Sequence, residues 1–433
     1  MKLFVKLLTV FVLGFSLAAC GNAGDGQSNV VSSGKEQKTV IEYWHVNAET
    51  QGGQAVTDLV EEFNKQSDSV EVVAKFNPDM YKGLMQNLQA EAAAGKAPAV
   101  VQVGWSFLDY FSNNFEYASP QEVIEEHFPE DKTFLKDYFL ENVMSLAKNS
   151  DGEQVGIPYS LSNPVLYINR DLLKEAGLDE NGPKTWEEVK QFSEQIKAKT
   201  GKYGFYLQEP ADNWGTQALL ESNGARMITD GKASFASPEG IKAYEVWADM
   251  VAAEEALHIA WDQGIQSFID GNVAMAYTTI AQRSNIQTNS KFDVAAIKSP
   301  AWEGKEVRLP AGGAMLAITA QEEAQQKAAW EFMKFLYSVE SMAKWTEGTG
   351  YVPPRSDVAE AENGLKAYLE ENEMMQPAIE QMDGVVPWAS FPGDAGLQAE
   401  QLLLDVRDQI LGGSISVEEG LKKTEKQINE LLK

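Results

Sequence analysis

The pattern of hydrophobic and polar positions divides the first part of the chain into strands and helices. Residues 39–46, 69–76 and 97–105 are short runs rich in β-branched and aromatic residues, which is typical of strands. Between them, apolar residues recur with the i, i+3, i+4, i+7 spacing of helices that bury one face, at Val56, Leu59, Val60 and Phe63 and at Tyr81, Leu84, Met85 and Leu88. This alternation predicts a parallel sheet with crossover helices.

The same alternation begins again after residue 156. The helix over 183–201 has the clearest signals, because Thr185 and Glu188 form the pattern of a capping box and Gly201 follows the last turn. Other predicted elements are strands over 165–168, 203–208, 273–279, 292–297 and 312–318, and helices after Pro238 and over 328–337. Two units of this kind predict an α/β protein with two lobes and a cleft, where small-molecule sites tend to occur.

The first twenty residues have the layout of a secretory signal. Lys2 and Lys6 precede an apolar run over 7–17, which is shorter than the roughly 20 residues of a membrane-spanning helix. The ending Leu-Ala-Ala-Cys resembles the bacterial lipoprotein signal, in which cleavage leaves a lipid-bearing cysteine. Cys20 is the only cysteine. We therefore expect a signal peptide over 1–19 and a lipid-anchored, flexible tether over 20–38, with an ordinary secretory signal as the alternative.

Charge and motif content exclude several classes of function. The net charge of −28 argues against nucleic-acid binding, which requires a basic surface. His45, His127 and His258 are too scattered for a zinc site, and the chain has neither a phosphate-binding glycine loop nor a Gly-x-Ser-x-Gly turn. We expect no catalytic residues, no metal and no cofactor.

An ordered set of sequence blocks runs from residue 39 to the C-terminus. They include IEYWHV, AGKAPAVVQV, FIDGNVAMAYT, PAGGAMLAI and TGYVPPRSDV, and the most specific is NPVLYINRDLLKEAGL followed by PKTWEE. The set resembles the family 1 extracellular solute-binding proteins of ABC importers, a group that includes the maltose-binding and glycerol-3-phosphate-binding proteins.

The resemblance implies a type II periplasmic-binding-protein fold with a hinge, an interlobe ligand cleft and three chain crossings between the lobes. Mapped onto this chain, lobe one covers 39–160 plus 283–354, and lobe two covers 161–282 plus 355–433. The implied protein is an extracytoplasmic monomer, held at the bacterial membrane through Cys20, that captures a small molecule and delivers it to an ABC permease.

Four of the ten tryptophans fall at strand ends or in loops, namely Trp44, Trp105, Trp214 and Trp388. A flat aromatic ring can support the apolar face of a sugar, whose hydroxyls need paired donors and acceptors. We expect Trp105 to be the main platform, because it follows the third strand at the ligand-binding edge of a parallel sheet. Covering the core is the alternative for each of the four, and Trp186, Trp247 and Trp330 are expected in the core.

Other candidate ligand residues come from strand ends, loops and the resemblance. The strand ends and loops add Asn47, Ser106, Asp212, Gln282 and Arg283. The resemblance implies contacts from Tyr81, Ser162, Glu209, Trp214, Gly313 and Tyr351. Ala211 stands where the family has an aromatic contact, so that contact is in doubt.

Two departures from the glycerol-3-phosphate relative bear on the ligand. Its glutamate after strand three is Trp105 here, and its arginine has no counterpart in VVPWASFPGDAG. A phosphate usually requires a bidentate arginine. We therefore expect a sugar, specifically an oligosaccharide, with glycerol 3-phosphate or a glycerophosphodiester as the alternative. A surface glycoside hydrolase, which needs two placed carboxylates, and an adhesion lipoprotein are readings from other classes.

Overall fold

Two five-stranded sheets, each flanked by helices, form the framework of the protein. The computed structural model describes residues 38–433 except for 50–51, 209–212, 356 and 394. The predicted signal peptide, Cys20 and nearly all of the tether therefore lie outside the described residues. Residues 38–433 form one compact unit.

The first sheet has the order β2-β1-β3-β13-β4. Its strands are β1 (Thr39–His45), β2 (Val70–Phe76), β3 (Val100–Gly104), β4 (Ile157–Ser162) and β13 (Gly312–Ile318). β1 pairs in parallel with β2 and β3, as the sequence pattern predicts, whereas β13 is antiparallel to β3 and β4. The carboxyl ends of β1, β2 and β3 therefore meet at one edge.

The second sheet has the order β11-β5-β10-β6-β9. Its strands are β5 (Pro164–Asn169), β6 (Tyr203–Leu207), β9 (Ala256–Leu257), β10 (Val273–Thr279) and β11 (Val294–Ile297). Two small sheets complete the set, from β7 (Ile228–Thr229) with β8 (Lys232–Ala233) and from β12 (Leu309–Pro310) with β14 (Val385–Val386). The predicted α/β architecture with two lobes is confirmed, one lobe being built on each large sheet.

The helices follow the apolar periodicity of the sequence. They are α1 (Gly53–Gln66), α2 (Met80–Ala93), α3 (Leu108–Asn114), α4 (Pro120–His127), α5 (Phe134–Tyr138), α6 (Glu141–Ser145), α7 (Arg170–Glu175), α8 (Trp186–Thr200), α9 (Trp214–Ser222), α10 (Pro238–Ala252), α11 (Trp261–Ile269), α12 (Arg283–Asn289), α13 (Glu323–Leu336), α14 (Val339–Thr349), α15 (Lys366–Glu371), α16 (Gln376–Glu380), α17 (Gly396–Leu411) and α18 (Val417–Leu431). The predicted capping box of Thr185 and Glu188 starts α8, and Gly201 ends it with a positive φ of 72°. Trp186, Trp247 and Trp330 are buried in the core, as predicted.

The chain passes between the two large sheets three times. The first passage is at Asn163, between β4 and β5, and the second lies between β11 and β13. The third follows Leu365, which packs in the core of the first sheet, and precedes Met375, which packs in a core of the second. The two lobes are thus joined by three separate segments.

The strand pairing differs from the predicted lobe bounds at β11. The bounds assign 283–354 to lobe one, but β11 pairs with β5 in the second sheet. Val358 and Leu365, assigned to lobe two, pack in the first core. Local periodicity identifies a strand but not its partner, because strand pairing is a long-range contact. Where each lobe begins and ends outside the strands stays a prediction.

A network of buried side chains joins the first two passages to the segment that follows the third. Gln381 donates from Nε2 to Asn163 Oδ1 at 2.7 Å and to the Pro164 carbonyl at 2.7 Å. Its Oε1 accepts from the Ser299 backbone N–H at 2.9 Å. Asn163 in turn donates to the Ala378 carbonyl at 2.8 Å. The Gln381 carboxamide therefore joins the first and second connecting segments, and Gln381 itself follows the third in the chain.

Candidate functional site

A cavity of about 1400 Å³ lies between the two lobes. One wall comes from the ends of β1 and β2, the start of β13 and the N-terminus of α2. The other wall comes from the end of β6, the starts of α9 and α11, and the loop around Trp388. The sheet edge identified from the sequence is therefore one side of this cavity.

Nine of the predicted ligand residues line this cavity. They are Asn47, Tyr81, Ser106, Ser162, Trp214, Gln282, Gly313, Tyr351 and Trp388. Glu209 and Asp212 lie outside the described residues. Their contact with a ligand remains a prediction, but the structure brings the nine together from distant parts of the sequence.

Trp105 is not in the cavity wall. Its side chain is 2 % exposed and packs in the core cluster beneath the first sheet. Its Nε1 donates to the Gly312 carbonyl at 3.2 Å. The physical reason is a 3-10 turn over Trp105–Phe107, which directs the indole inward and brings Ser106 and Phe107 to the cavity.

Trp44 and Arg283 also lie away from the cavity wall. The Trp44 indole is 1 % exposed, donates to Glu42 Oε2 at 2.7 Å and lies 4.4 Å below Lys75 Nζ. Arg283 is buried and donates to Gln287 Oε1 at 2.7 Å and to the Tyr368 hydroxyl. Both side chains are engaged in structural contacts.

Trp214 and Trp388 form an aromatic pair in the cavity wall. Their ring centroids are 6.3 Å apart with an interplanar angle of 51°. Trp214 is the first residue of α9, is buried, and donates from Nε1 to the Pro310 carbonyl at 2.8 Å. Trp388 is half-buried in a loop. The two indoles present an angled apolar surface to whatever occupies the site.

Gln217, one turn after Trp214 on α9, holds the Trp388 loop. Its Nε2 donates to the Pro387 carbonyl at 3.0 Å, and its Oε1 accepts from the Ala389 N–H at 2.9 Å. The Gln217 carboxamide thus bonds to the backbone on both sides of Trp388, at the residue before it and at the residue after it. The loop also donates from Ser390 Oγ to the Ser106 carbonyl at 3.2 Å.

Tyr81 and Tyr351 form the aromatic part of the opposite wall. They are hydrogen-bonded to each other, and burial raises the pKa of both phenols above the usual value, so both are neutral at physiological pH. Behind them, the Tyr351 ring stacks on Trp345 at 5.9 Å and 7°, and Trp345 stacks on Tyr159 at 4.6 Å. A column of stacked rings therefore supports this wall from the core.

A buried polar network positions Asn47 at the cavity edge. Gln102, fully buried, donates to Asn47 Oδ1 at 3.1 Å and to the Tyr43 hydroxyl at 2.8 Å. The Asn47 N–H donates to His45 Nδ1 at 3.3 Å. Burial lowers the pKa of His45 to about 4, which keeps its imidazole neutral and able to accept this hydrogen bond.

Two glycines allow the backbone of β13 to approach the site. Gly313 has φ of 104°, a conformation that favours glycine. At Gly312, a Cβ would overlap Ser162 Oγ and lie 3.0 Å from the Trp214 ring. Gly312 therefore lets Ser162 and Trp214 meet at the floor of the cavity.

The cavity lining carries more negative than positive charge. Among its described residues are six carboxylates and two lysines but no arginine; the charged residues are Glu49, Asp58, Asp79, Asp262, Glu347, Glu400, Lys82 and Lys344. Lys344 is hydrogen-bonded to Glu62. The described lining therefore offers no bidentate cation for an anionic group.

Sequence reasoning missed three notable residues of the lining. Gln208 ends the predicted strand over 203–208, so the strand-end rule could have found it. Trp261 shares helical spacing with Ile265 and Phe268, which predicts a core residue, yet it reaches the cavity at the start of α11. Glu400 accepts from Asn213 Nδ2 at 2.8 Å, a contact between distant segments that no local pattern reveals.

Searching the described residues for an apolar helix of membrane-spanning length yields none. A family model described as bacterial extracellular solute-binding protein matches residues 58–373. The sn-glycerol-3-phosphate-binding periplasmic protein UgpB of Pectobacterium atrosepticum is 27% identical over 343 residues, which are 75% of this chain and 75% of that protein.

Solved structures share the fold at low sequence identity. The cyclic alpha-maltosyl-1,6-maltose binding protein of Arthrobacter globiformis superposes with a TM-score of 0.76 and 23% identity, covering 92% of this chain and 99% of that one. UgpB of Mycobacterium tuberculosis, in complex with glycerophosphocholine, superposes with a TM-score of 0.80 and 19% identity. The match covers 92% of this chain and 98% of that one. These likenesses concern the two-lobed fold and leave the ligand open.

Proposed function

The chain belongs to the family of bacterial extracellular solute-binding proteins, which serve ABC importers, and from this premise we propose that it captures a neutral oligosaccharide for import. The observation that carries the proposal is the cavity itself. Its volume of about 1400 Å³ exceeds the roughly 300–1000 Å³ of common small-ligand pockets. A single glycerol phosphate would leave most of that space to water.

The chemistry of the walls supports a sugar. The angled indoles of Trp214 and Trp388 suit the apolar faces of sugar rings. Asn47, Ser162 and Gln282 lie among them and suit hydroxyl groups. Because the walls come from both lobes, a ligand that contacts both stabilises the closed form, as a hinge mechanism requires.

A glycerophosphodiester is the second candidate. The identity to a glycerol-3-phosphate-binding protein and the likeness to a structure with glycerophosphocholine favour it. The excess of carboxylates in the cavity suits a quaternary ammonium group but opposes a phosphate. We therefore rank it below an oligosaccharide.

A thermal-shift screen of the purified protein tests this ranking. The panel holds malto-, xylo-, manno-, fructo- and galacto-oligosaccharides, with glycerol 3-phosphate and glycerophosphocholine beside them. A ligand that binds only the folded state raises the melting temperature. We expect a rise with one oligosaccharide series and intact sugar after long incubation. Sugar cleavage favours a hydrolase, a rise with phosphates alone favours the second candidate, and no rise favours an adhesion protein.

We further propose that the protein is a monomeric lipoprotein, tethered through Cys20 and docking on an ABC permease without catalysing a reaction. The cysteine at the end of an apolar signal motivates the anchor, since acyl chains bind membranes by about 0.8 kcal/mol per methylene. We expect Cys20→Ser to move the protein from the membrane fraction to the soluble one. Retention of that variant in the membrane fraction contradicts the anchor.

A further inference from the structure

Gln208 lines the cavity directly after β6 and is held in a fixed position. Its side chain is 8 % exposed, and its backbone N–H donates to the Tyr277 carbonyl at 3.0 Å. Because β6 pairs in parallel with β10, the end of β10 lies beside it. The residue is therefore anchored at the carboxyl edge of the second sheet.

The orientation of the Gln208 carboxamide is determined by its neighbours. The backbone N–H of Thr279 donates to it at 3.2 Å, and the Thr278 hydroxyl donates to the same atom. A backbone N–H can only donate, so the atom that faces Thr279 is the oxygen Oε1. Nε2 consequently points away from β10.

No described residue accepts a hydrogen bond from Gln208 Nε2, and the residue lines the cavity. A second polar residue of the cavity lining is Ser162, at the end of β4, which is 2 % exposed. Thr279 pairs with Pro164, two residues after Ser162. Both groups therefore lie at the floor, where the two sheets meet.

We infer that Gln208 is a specificity-determining residue that donates from Nε2 to an acceptor oxygen of the ligand. This inference rests on the proposed function and deepens it. A carboxamide nitrogen can only donate, so the facing ligand atom must have a lone pair. A hydroxyl, ring or glycosidic oxygen of a neutral sugar meets this requirement. A sugar ammonium at the same position leaves two donors facing each other, although the cavity carboxylates attract it.

The test is Gln208→Glu, which keeps an oxygen for Thr278 and Thr279 but removes the donor. Calorimetric titrations use maltotriose, xylotriose, mannotriose, 1-kestose, galactotriose and glycerophosphocholine. We expect the affinity for the compound that binds the unsubstituted protein to fall about tenfold to hundredfold. The melting temperature without ligand should stay within about 2 °C of the original.

Two further variants separate this role from a structural one and from a charge effect. Gln266→Glu on α11 introduces the same charge outside the cavity lining, where Gln266 Nε2 donates to Asp270 Oδ1 at 2.8 Å, so affinity should change less than threefold, by about 0.6 kcal/mol or less. Gln208→Met leaves the Thr279 N–H without its acceptor and should lower both the melting temperature and the affinity.

The outcomes distinguish the inference from its premise. If a compound binds and Gln208→Glu binds it equally well, or if Gln266→Glu loses as much affinity, the role of Gln208 is overturned while the proposed function stands. If a sugar does not bind but glycerophosphocholine does, with the expected loss in Gln208→Glu, the donor role stands and the sugar class is overturned. If no compound binds the unsubstituted protein, both are overturned together.

Discussion

Trp105 and Trp388 differ in how much of each indole is buried. Trp105 is 2 % exposed and packs in a core cluster, whereas Trp388 is half-buried at the cavity. Truncating a buried tryptophan costs about 3–5 kcal/mol of stability. We expect Trp105→Ala to lower the melting temperature in the absence of ligand. Trp388→Ala should keep that temperature but weaken oligosaccharide binding by about 1–3 kcal/mol. Thermal melts with calorimetric titration check both, and a stable Trp105→Ala protein contradicts the core role.

His45 makes stability depend on pH. Burial lowers its pKa from 6.5 to about 4 in the folded protein. Between pH 6.5 and 4, His45 is protonated in the unfolded chain but stays neutral in the folded protein. The contribution of His45 to the free energy of unfolding is therefore complete above about pH 6.5 and is lost as the pH falls toward 4. The difference amounts to at most about 3 kcal/mol. Denaturant unfolding at pH 7, 5.5 and 4 should show a flatter profile for His45→Gln. Parallel profiles for His45→Gln and the unsubstituted protein contradict a role of His45 in the pH dependence of stability.

Single residues were predictable from the sequence where a strand end alone sets their position. Asn47 and Ser106 reach the cavity because they follow β1 and β3. Trp105 follows the same rule and yet is buried, since the direction of its side chain depends on the turn after the strand. Trp388 faces the cavity because a distant glutamine brackets its loop, which is a contact that sequence spacing does not contain.

Helix α9 supplies one aromatic ring of the site and positions another. Trp214 starts the helix, and Gln217 holds the backbone on both sides of Trp388. We expect Gln217→Leu to weaken oligosaccharide binding about tenfold, because loss of the bracket frees the Trp388 loop. In a Trp388→Ala background the same change should have little further effect. If calorimetric titrations show that the affinity losses of Gln217→Leu and Trp388→Ala add fully in the double variant, Gln217 does not act through Trp388.

Ser222 provides the matched control on the same helix. It accepts from the Arg308 N–H at 2.9 Å and donates to the Arg308 carbonyl at 3.2 Å, outside the cavity lining. Ser222→Ala therefore removes a similar pair of hydrogen bonds. It should lower stability by about 1–2 kcal/mol and leave the affinity unchanged.

Among the elements, helices and parallel strands were predictable, and long-range pairing was not. All four apolar positions predicted for α1 are buried, because helix periodicity is a local property. The antiparallel place of β13 between β3 and β4, and of β11 beside β5, depends on residues more than a hundred positions apart. Such pairings follow from the resemblance to a family but not from periodicity.

At the scale of the whole molecule, Gln381 joins two of the three segments that connect the lobes and lies shortly after the third. Replacing it with methionine leaves the Ser299 N–H and Asn163 Oδ1 without their hydrogen-bond partner. We expect Gln381→Met to lower the unfolding free energy by about 1–3 kcal/mol. Small-angle scattering of the ligand-free protein should also show a broader distribution of interlobe distances, since the restraint at the crossings is lost.

Gln154 offers a control for the effect on the hinge. Its Nε2 donates to the Gly156 carbonyl at 2.8 Å and to the Met144 carbonyl at 3.2 Å, away from the crossings. Gln154→Met should lower stability without changing the scattering curve. Identical scattering from both variants shows that Gln381 contributes to stability alone.

The distribution of the ten tryptophans also gives the protein an optical reporter of its own. Trp214, Trp261 and Trp388 line the cavity, and the other seven are buried away from it. Entry of a sugar changes the surroundings of the three lining indoles, above all the partly exposed Trp261 and Trp388, and leaves seven unchanged. The intrinsic emission of the unlabelled protein should therefore shift in wavelength on binding over a constant background, so that occupancy can be followed without attaching a dye.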